Sequence, residues 1–179
     1  MFMDLQLFSS NTVLARKWKF FIGTGEDKKF VQISGITSFT ISKSKEDLDT
    51  TDFDNDGYDS HVVGGRGFSI KVSGHMRMDS TGQRCAGQAR VEACGELMGV
   101  DSIVPLVILP PAGKGYLVHG SINIADVGGG NKDKTSWGFD LTGEGKMQRM
   151  TDAYKQSLTL TYSDVDSETD ITIPDEIDV

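Results

Sequence analysis

The sequence has little proline, 4 residues in 179, and no long apolar run. No stretch approaches the roughly 18 apolar residues that a membrane helix requires, so no membrane anchor is expected. Cysteine is scarce too. Cys85 and Cys94 are the 2 present, and both fall in a segment that reads as a helix. Their spacing, at about 100° per residue, puts them on opposite faces, where they cannot bridge each other. Reduced thiols in a cytosolic assembly environment are the expectation. Clustered positive charge is also lacking. With 26 acids against 18 bases the chain carries −8, whereas gripping DNA phosphate needs grouped Lys and Arg. Met1 to Phe8 contains Asp4 and no basic segment, which argues against a signal peptide.

Catalytic patterns are missing as well. There is no GxSxG, Walker A or HExxH. His61, His75 and His119 have no second His or Cys at metal-ligand spacing. Gly64, Gly65, Arg66 and Gly67 are glycine-rich but lack the Lys-Ser/Thr and following helix of a phosphate loop, so a tight turn is the better reading. Asp52, Asp54, Asp56 and Gly57 match the first half of an EF-hand loop, and they are the weak metal candidates. The match fails at its twelfth position, where Val63 replaces the bidentate Glu. No cofactor is expected, and the chain reads as a protein other than an enzyme.

What is present is glycine, 21 residues, and charge in blocks. Abundant Gly with scarce Pro suits tight turns between short strands. One acidic block is Glu46, Asp47, Asp49, Asp52, Asp54, Asp56 and Asp59; the other is the stretch after Tyr162, which has no Lys or Arg. Solvated loop and terminus are the plain readings. Arg16, Lys17 and Lys19, with Lys28 and Lys29, form a weak basic group that reads as a solvated strand face, or as a partner for a neighbouring subunit's acidic loop.

Most of the chain alternates with period two, the strand signature. Trp18, Phe20 and Ile22 share one side, although Phe21 spoils a polar opposite face. Thr37, Phe39 and Ile41 alternate with Ser38, Thr40 and Ser42. The clearest strand is 68–78: Phe68, Ile70, Val72, Met76 and Met78 point one way, and Ser69, Lys71, Ser73, His75 and Arg77 the other. Val104–Leu109 reads as a buried strand; 116–124, 137–142 and 158–162 alternate again. Between them the period changes to helical. Asp79, Ser80 and Thr81 are N-cap candidates. Ala86, Ala89, Ala93 and Leu97 form a stripe widened by Val91, Cys94 and Met98, with Gly99 as the stop. Gly87 and Gly95 each weaken such a helix by about 1 kcal/mol, so packing must hold it. The expected fold is mainly β: a β-sandwich or partly open barrel of about eight strands with one α-helix over about 80–98. Its parts are an N-terminal arm (1–11), a domain (12–162) with a long loop (44–67), and an acidic C-terminal tail (163–179).

The stretch KSKEDLDTTDFDNDGYDSHVVGGRGFSIKVSGHMRM, residues 43–78, resembles the major tail tube proteins of long-tailed bacteriophages. Thr50, Thr51, Asp52, Phe53 and Asp54, then Gly57 and Tyr58, match the family's loop phrase. A Gly/Arg turn then feeds a polar-apolar strand, and Trp137-Gly138-Phe139 matches a later W-x-F run. The resemblance implies a structural virion protein that self-assembles into stacked, hexameric rings. Each subunit would give strands to a continuous inner barrel. Partners would be the chain itself, the tape measure protein, the tail terminator and the baseplate or tail-tip proteins, with double-stranded DNA passing through without sequence-specific binding. The location would be the virion tail, after assembly in the bacterial host cytoplasm. The implied ring interface is Phe2, Leu5, Leu7 and Phe8 of the arm, with Asp47, Asp49, Asp52, Phe53, Asp54, Asp56, Tyr58 and Arg66 of the loop. Ser69, Lys71, Ser73, His75 and Arg77 would face the lumen or a neighbour. Alternatives are a tail terminator, a contractile-tail or secretion-system tube protein, or a monomeric sandwich that binds a ligand.

Overall fold

The computed structural model describes residues 14–51 and 58–162. Its strands are β1 (Lys19–Gly23), β2 (Lys29–Gln32), β3 (Ile36–Asp49), β4 (His61–His75), β5 (Ile103–Leu109), β6 (Tyr116–Ile124), β7 (Ser136–Arg149) and β8 (Thr159–Thr161). They form one 8-stranded open sheet in the order β3-β4-β7-β6-β5-β1-β2-β8. All neighbours are antiparallel except β2 and β8. Helix α1 (Ala86–Gly95) follows β4, and a one-turn helix α2 (Asp152–Gln156) precedes β8. The sheet curls back on itself. Phe39 of β3 meets Trp18 at 5.1 Å and Phe20 of β1 at 5.0 Å between ring centroids, although five other strand-to-strand steps separate β3 from β1. A mainly β, partly open barrel is therefore what the chain builds.

The concave side holds the main core. Phe20, Ile22, Ile70, Val72, Leu106, Ile108, Trp137, Phe139 and Leu141 are all buried there, with Val91 and Cys94 of α1. Burying one such side chain contributes roughly 1.5–3 kcal/mol. A second cluster lies on the other face of the sheet, where Phe21, Phe30, Val107, Leu117, Met150 and Leu158 pack together. Phe21, which disturbs the alternation of its strand, is fully buried in it. The half of the sheet around β1 and β5 is thus covered on both faces, which removes the polar side that period two needs.

The helix differs from expectation in its bounds and its face. Asp79 does not cap it. Its Oδ1 instead accepts hydrogen bonds from the Thr81 amide (2.9 Å), the Thr81 hydroxyl (2.7 Å) and the Gln83 amide (2.8 Å) in a separate turn. The helix starts after Cys85 and ends at Gly95; Gly99, with φ 65°, opens a 3-10 turn (Gly99–Ser102) rather than closing the helix. Ala86, Ala89, Ala93 and Leu97 are exposed, while Gly87, Gln88, Val91 and Cys94 are buried. Glycine decides the face. A Cβ on Gly87 would lie 2.0 Å from the Gln32 carbonyl oxygen, so only Gly lets the helix approach β2 this closely. Gln88, fully buried, then stitches the corner. Its Nε2 donates to the Ser34 and His75 carbonyls, and its Oε1 accepts from the Arg77 amide, all at 2.9 Å. Cys85 and Cys94 are both buried free thiols, and burial pushes the Cys94 thiol above its ordinary range.

The largest correction concerns the expected loop at 44–67. Strand β3 continues to Asp49 and β4 begins at His61, so the connection shrinks to residues 50–60. Register runs unbroken from Ser38↔Ser73 to Glu46↔Gly65, then shifts by one before Asp47↔Val63. This ribbon is wet on both sides, so its residues show no apolar period. The expected strand at 68–78 also stops early: β4 ends at His75, Met78 is exposed, and Arg77 lies beyond the strand.

Candidate functional site

Strands β3, β4, β7 and β6 form a continuous four-stranded half of the sheet whose two faces differ rung by rung. One rung reads Ile41–Ile70–Leu141–Ile122 and another Phe39–Val72–Phe139–Ile124. Both point into the core. The rungs between them read Ser42–Ser69–Thr142–Ser121 and Thr40–Lys71–Asp140–Asn123, with Ser38–Ser73–Gly138 beside them. These point outward. The outward face is therefore a lawn of hydroxyls. Lys71 stands within it, and its Nζ lies 3.8 Å from Asp140 Oδ2 on the next strand. Both side chains are largely exposed, so the pair contributes little to stability, but it cancels the face's positive charge.

Ser69, Lys71, Ser73 and His75 share this face; Arg77 does not join it, because the strand has ended. Asp140, Thr142, Ser121 and Asn123 complete the face but were not singled out from the sequence. Only cross-strand register brings them beside Ser69 and Lys71.

The second feature is the projecting arm. Strand β7 pairs with β4 only from Ser69 to His75. Among the described residues, His61–Gly67 of β4 therefore has only β3 beside it. Asp47, Asp49 and Arg66 lie on this arm, and Tyr58 sits at its far end with 78% of its surface exposed. Asp49 closes the arm. Its Oδ1 accepts the Thr51 amide at 2.8 Å. The Thr51 hydroxyl and amide, with a smaller contribution from His61 across the ladder, hold the Asp49 carboxyl below its ordinary range. The Thr50 amide donates to the Ser60 carbonyl at 2.8 Å, extending the ribbon by one step. Phe2, Leu5, Leu7, Phe8, Asp52, Phe53, Asp54 and Asp56 lie outside the described residues.

The sheet's two edges are unequal. At one end β8 offers three residues. At the other, β3 offers 14 residues with no strand on its outer side among the described residues. A long open edge is a template for pairing with another chain.

No group of three or more His, Cys, Asp or Glu among the described residues could hold a metal ion. A shallow hollow of about 260 Å³, lined by Leu117, Gln148, Arg149, Met150, Thr151 and Tyr154, contains no paired acid and base. Trp137 is buried and Trp18 packs on the core, so neither lies on a flat exposed face for stacking a sugar.

No protein-family model matches the chain, and no curated protein matches it. Solved structures share its fold. A chain in the virion of a native gene transfer agent particle aligns at TM-score 0.57 with 18% identity, over 78% of this chain and 100% of that one. A chain in the tail of an empty gene transfer agent particle, refined helically with C6 symmetry, aligns at TM-score 0.58 with 18% identity, over the same 78% and 100%. The SPP1 tail tube aligns at TM-score 0.55 with 12% identity, over 78% of this chain and 80% of that one.

Proposed function

We propose that this chain is the tail tube subunit of a long-tailed bacteriophage, a structural virion protein whose work is self-assembly. The observation that carries the reading is the pairing of a two-faced four-stranded half-sheet with an open 14-residue edge, in a fold shared with the SPP1 tail tube. A subunit of this shape has an apolar face already satisfied by its own core and a hydroxyl face left for water. Joined edge to edge in a ring, such half-sheets form a closed barrel. Closure removes the exposed edge that would otherwise invite uncontrolled pairing.

The hydroxyl face lines the bore in this reading. Ser38, Thr40, Ser42, Ser69, Ser73 and Thr142 offer DNA phosphate no fixed positive charge, and Asp140 balances Lys71. Double-stranded DNA then slides without gripping, since phosphate affinity depends on accumulated Lys and Arg contacts. Six subunits per ring, rings stacked around a tape measure protein, and a terminator and baseplate at the two ends complete the assembly. The protein acts in the virion tail, after assembly in the host cytoplasm. The arm and the residues around Tyr58 bridge subunits.

Negative-stain microscopy of the full chain at rising concentration tests the proposal. Rings or hollow tubes with a wide bore are expected. A compact monomer at every concentration and salt contradicts it.

A further inference from the structure

We infer that the acidic stretch 163–179 lies back over its own chain, on the basic group Arg16, Lys17 and Lys19 where the chain enters β1. The inference stands whether or not the protein builds a tube.

The fold divides the basic residues of this region into two sets. Lys28 and Lys29 stand at the start of β2, where Lys29 pairs with Glu26. Arg16 and Lys17 belong to the 3-10 turn Ala15–Lys17 that leads into β1. Trp18, between Lys17 and Lys19, has extended backbone (φ −73°, ψ 139°) and turns its ring inward onto Phe39. Extended backbone sends the flanking side chains the opposite way, so Lys17 and Lys19 share the outer face with Phe21. Neither they nor Arg16 forms an ion pair among the described residues. The strand segments around them, Lys29–Gln32, Ile36–Lys45 and Val104–Leu109, contain no acid. The charge of this group is therefore not offset by its neighbours.

The chain delivers acid to this spot. Strand β8 is parallel to β2, and β2 is antiparallel to β1. So β8 runs opposite to β1, heading past Lys19 toward Lys17. At its end the Tyr162 ring sits edge-on to Phe21, 5.3 Å between centroids, with Lys19 Nζ 4.9 Å from the Tyr162 ring centroid. Residues 163–179 then hold Asp164, Asp166, Glu168, Asp170, Asp175, Glu176 and Asp178 and no Lys or Arg. Asp164, Asp166, Glu168 and Asp170 keep the parity of Leu160 and Tyr162, whose side chains pack on the outer-face cluster. An extended continuation of β8 directs these four acids to the face of Lys17 and Lys19. At about 3.3 Å per residue, Asp164 and Asp166 reach along two lysines that are themselves two residues apart. Each exposed ion pair is weak alone. The tether at Tyr162 makes the encounter intramolecular, at an effective concentration in the millimolar range, which a second copy in dilute solution lacks.

Carbodiimide coupling, which joins a lysine amine to a carboxylate beside it, tests the contact on the full chain in a dilute equal mixture of isotope-labelled and unlabelled protein. Peptides linking Lys17 or Lys19 to the stretch 164–170 are expected, with both halves carrying the same label. Their yield should fall severalfold in about 1 M salt, where screening acts within about 3 Å. Links of mixed label would assign the tail to a second copy and overturn the intrachain contact. Equal yields at Lys132 and Lys134 in the β6–β7 turn, or a yield indifferent to salt, would reduce it to random collision and overturn it too. Neutralising the four acids (Asp164→Asn, Asp166→Asn, Glu168→Gln and Asp170→Asn) should shift the amide signals of Lys17 and Lys19 and leave those of Val72 and Phe139 in place. Unmoved Lys17 and Lys19 signals contradict the contact.

Discussion

The two halves of one hairpin behave as different kinds of structure. In the half nearest the core, Ile36–Ser42 pairs with Ser69–Gly74, and Phe39, Ile41, Ile70 and Val72 pack on buried neighbours. In the half beyond it, Lys43–Asp49 pairs with His61–Phe68 through the same ladder, and apart from Phe68 and the half-buried Gly65 its side chains are exposed. The backbone hydrogen bonds continue; the burial does not. A hydrogen bond exchanged against water nets only about 0.5–1.5 kcal/mol, whereas core burial supplies the bulk of stability. The inner half therefore holds the monomer together, and the outer half has its shape set within the chain but little burial of its own.

The sharpest way to break this comparison is to damage each half and ask what is lost. Phe139→Ala, paired across the ladder with Val72 and set edge-on to Trp137, should cost about 3–5 kcal/mol of monomer stability in chemical denaturation. Gln88→Ala should cost about 1–3 kcal/mol, because it leaves the Ser34 and His75 carbonyls and the Arg77 amide unsatisfied in the interior. On the outer half, Leu48→Ala should move monomer stability by less than about 0.5 kcal/mol yet weaken assembly. Deleting residues 46–58 should leave a folded monomer that no longer polymerises. A large loss of melting temperature from either change would show that the arm belongs to the core. The smallest effect concerns pH. The Asp49 carboxyl is held below its ordinary range by Thr51, so its contribution to the arm's closing turn is present above the unfolded carboxyl's pKa. It is lost as pH falls through the lower, folded one. An NMR titration should show Asp49 protonating later than a free Asp, with amide shifts confined to residues near Thr51. A midpoint at the ordinary value would contradict the turn.

The same contrast explains how much was legible in advance. Where one face is buried and the other wet, as at Phe68–His75 and Trp137–Leu141, period two appears in the residues and the strands were readable. Where both faces are buried, at Phe21, Val107 and Leu117, alternation vanishes although the strands exist. Where both faces are wet, at Lys43–Asp49 and His61–Gly67, alternation vanishes again and a ribbon reads as a loop. The helix was readable as a change of period, but its buried face was not. Alanine looked like the packing stripe, whereas the close approach at Gln32 needs the missing side chain of Gly87. For the candidate site, the outward residues of β4 were legible one by one. Their partners Asp140, Thr142, Ser121 and Asn123 depend on register across three strands, which no local pattern encodes.

The central claim is that the outer arm obtains its burial from another copy. Amide hydrogen exchange, measured residue by residue in dilute monomer and in assembled material, tests it most directly. Amides of Lys43–Asp49 and His61–Gly67 should exchange rapidly in the monomer, while those of Ile70, Val72 and Phe139 are protected; on assembly the arm amides should become protected as well. Arm amides as protected in the monomer as the core, or still unprotected in the assembled tube, would contradict the account.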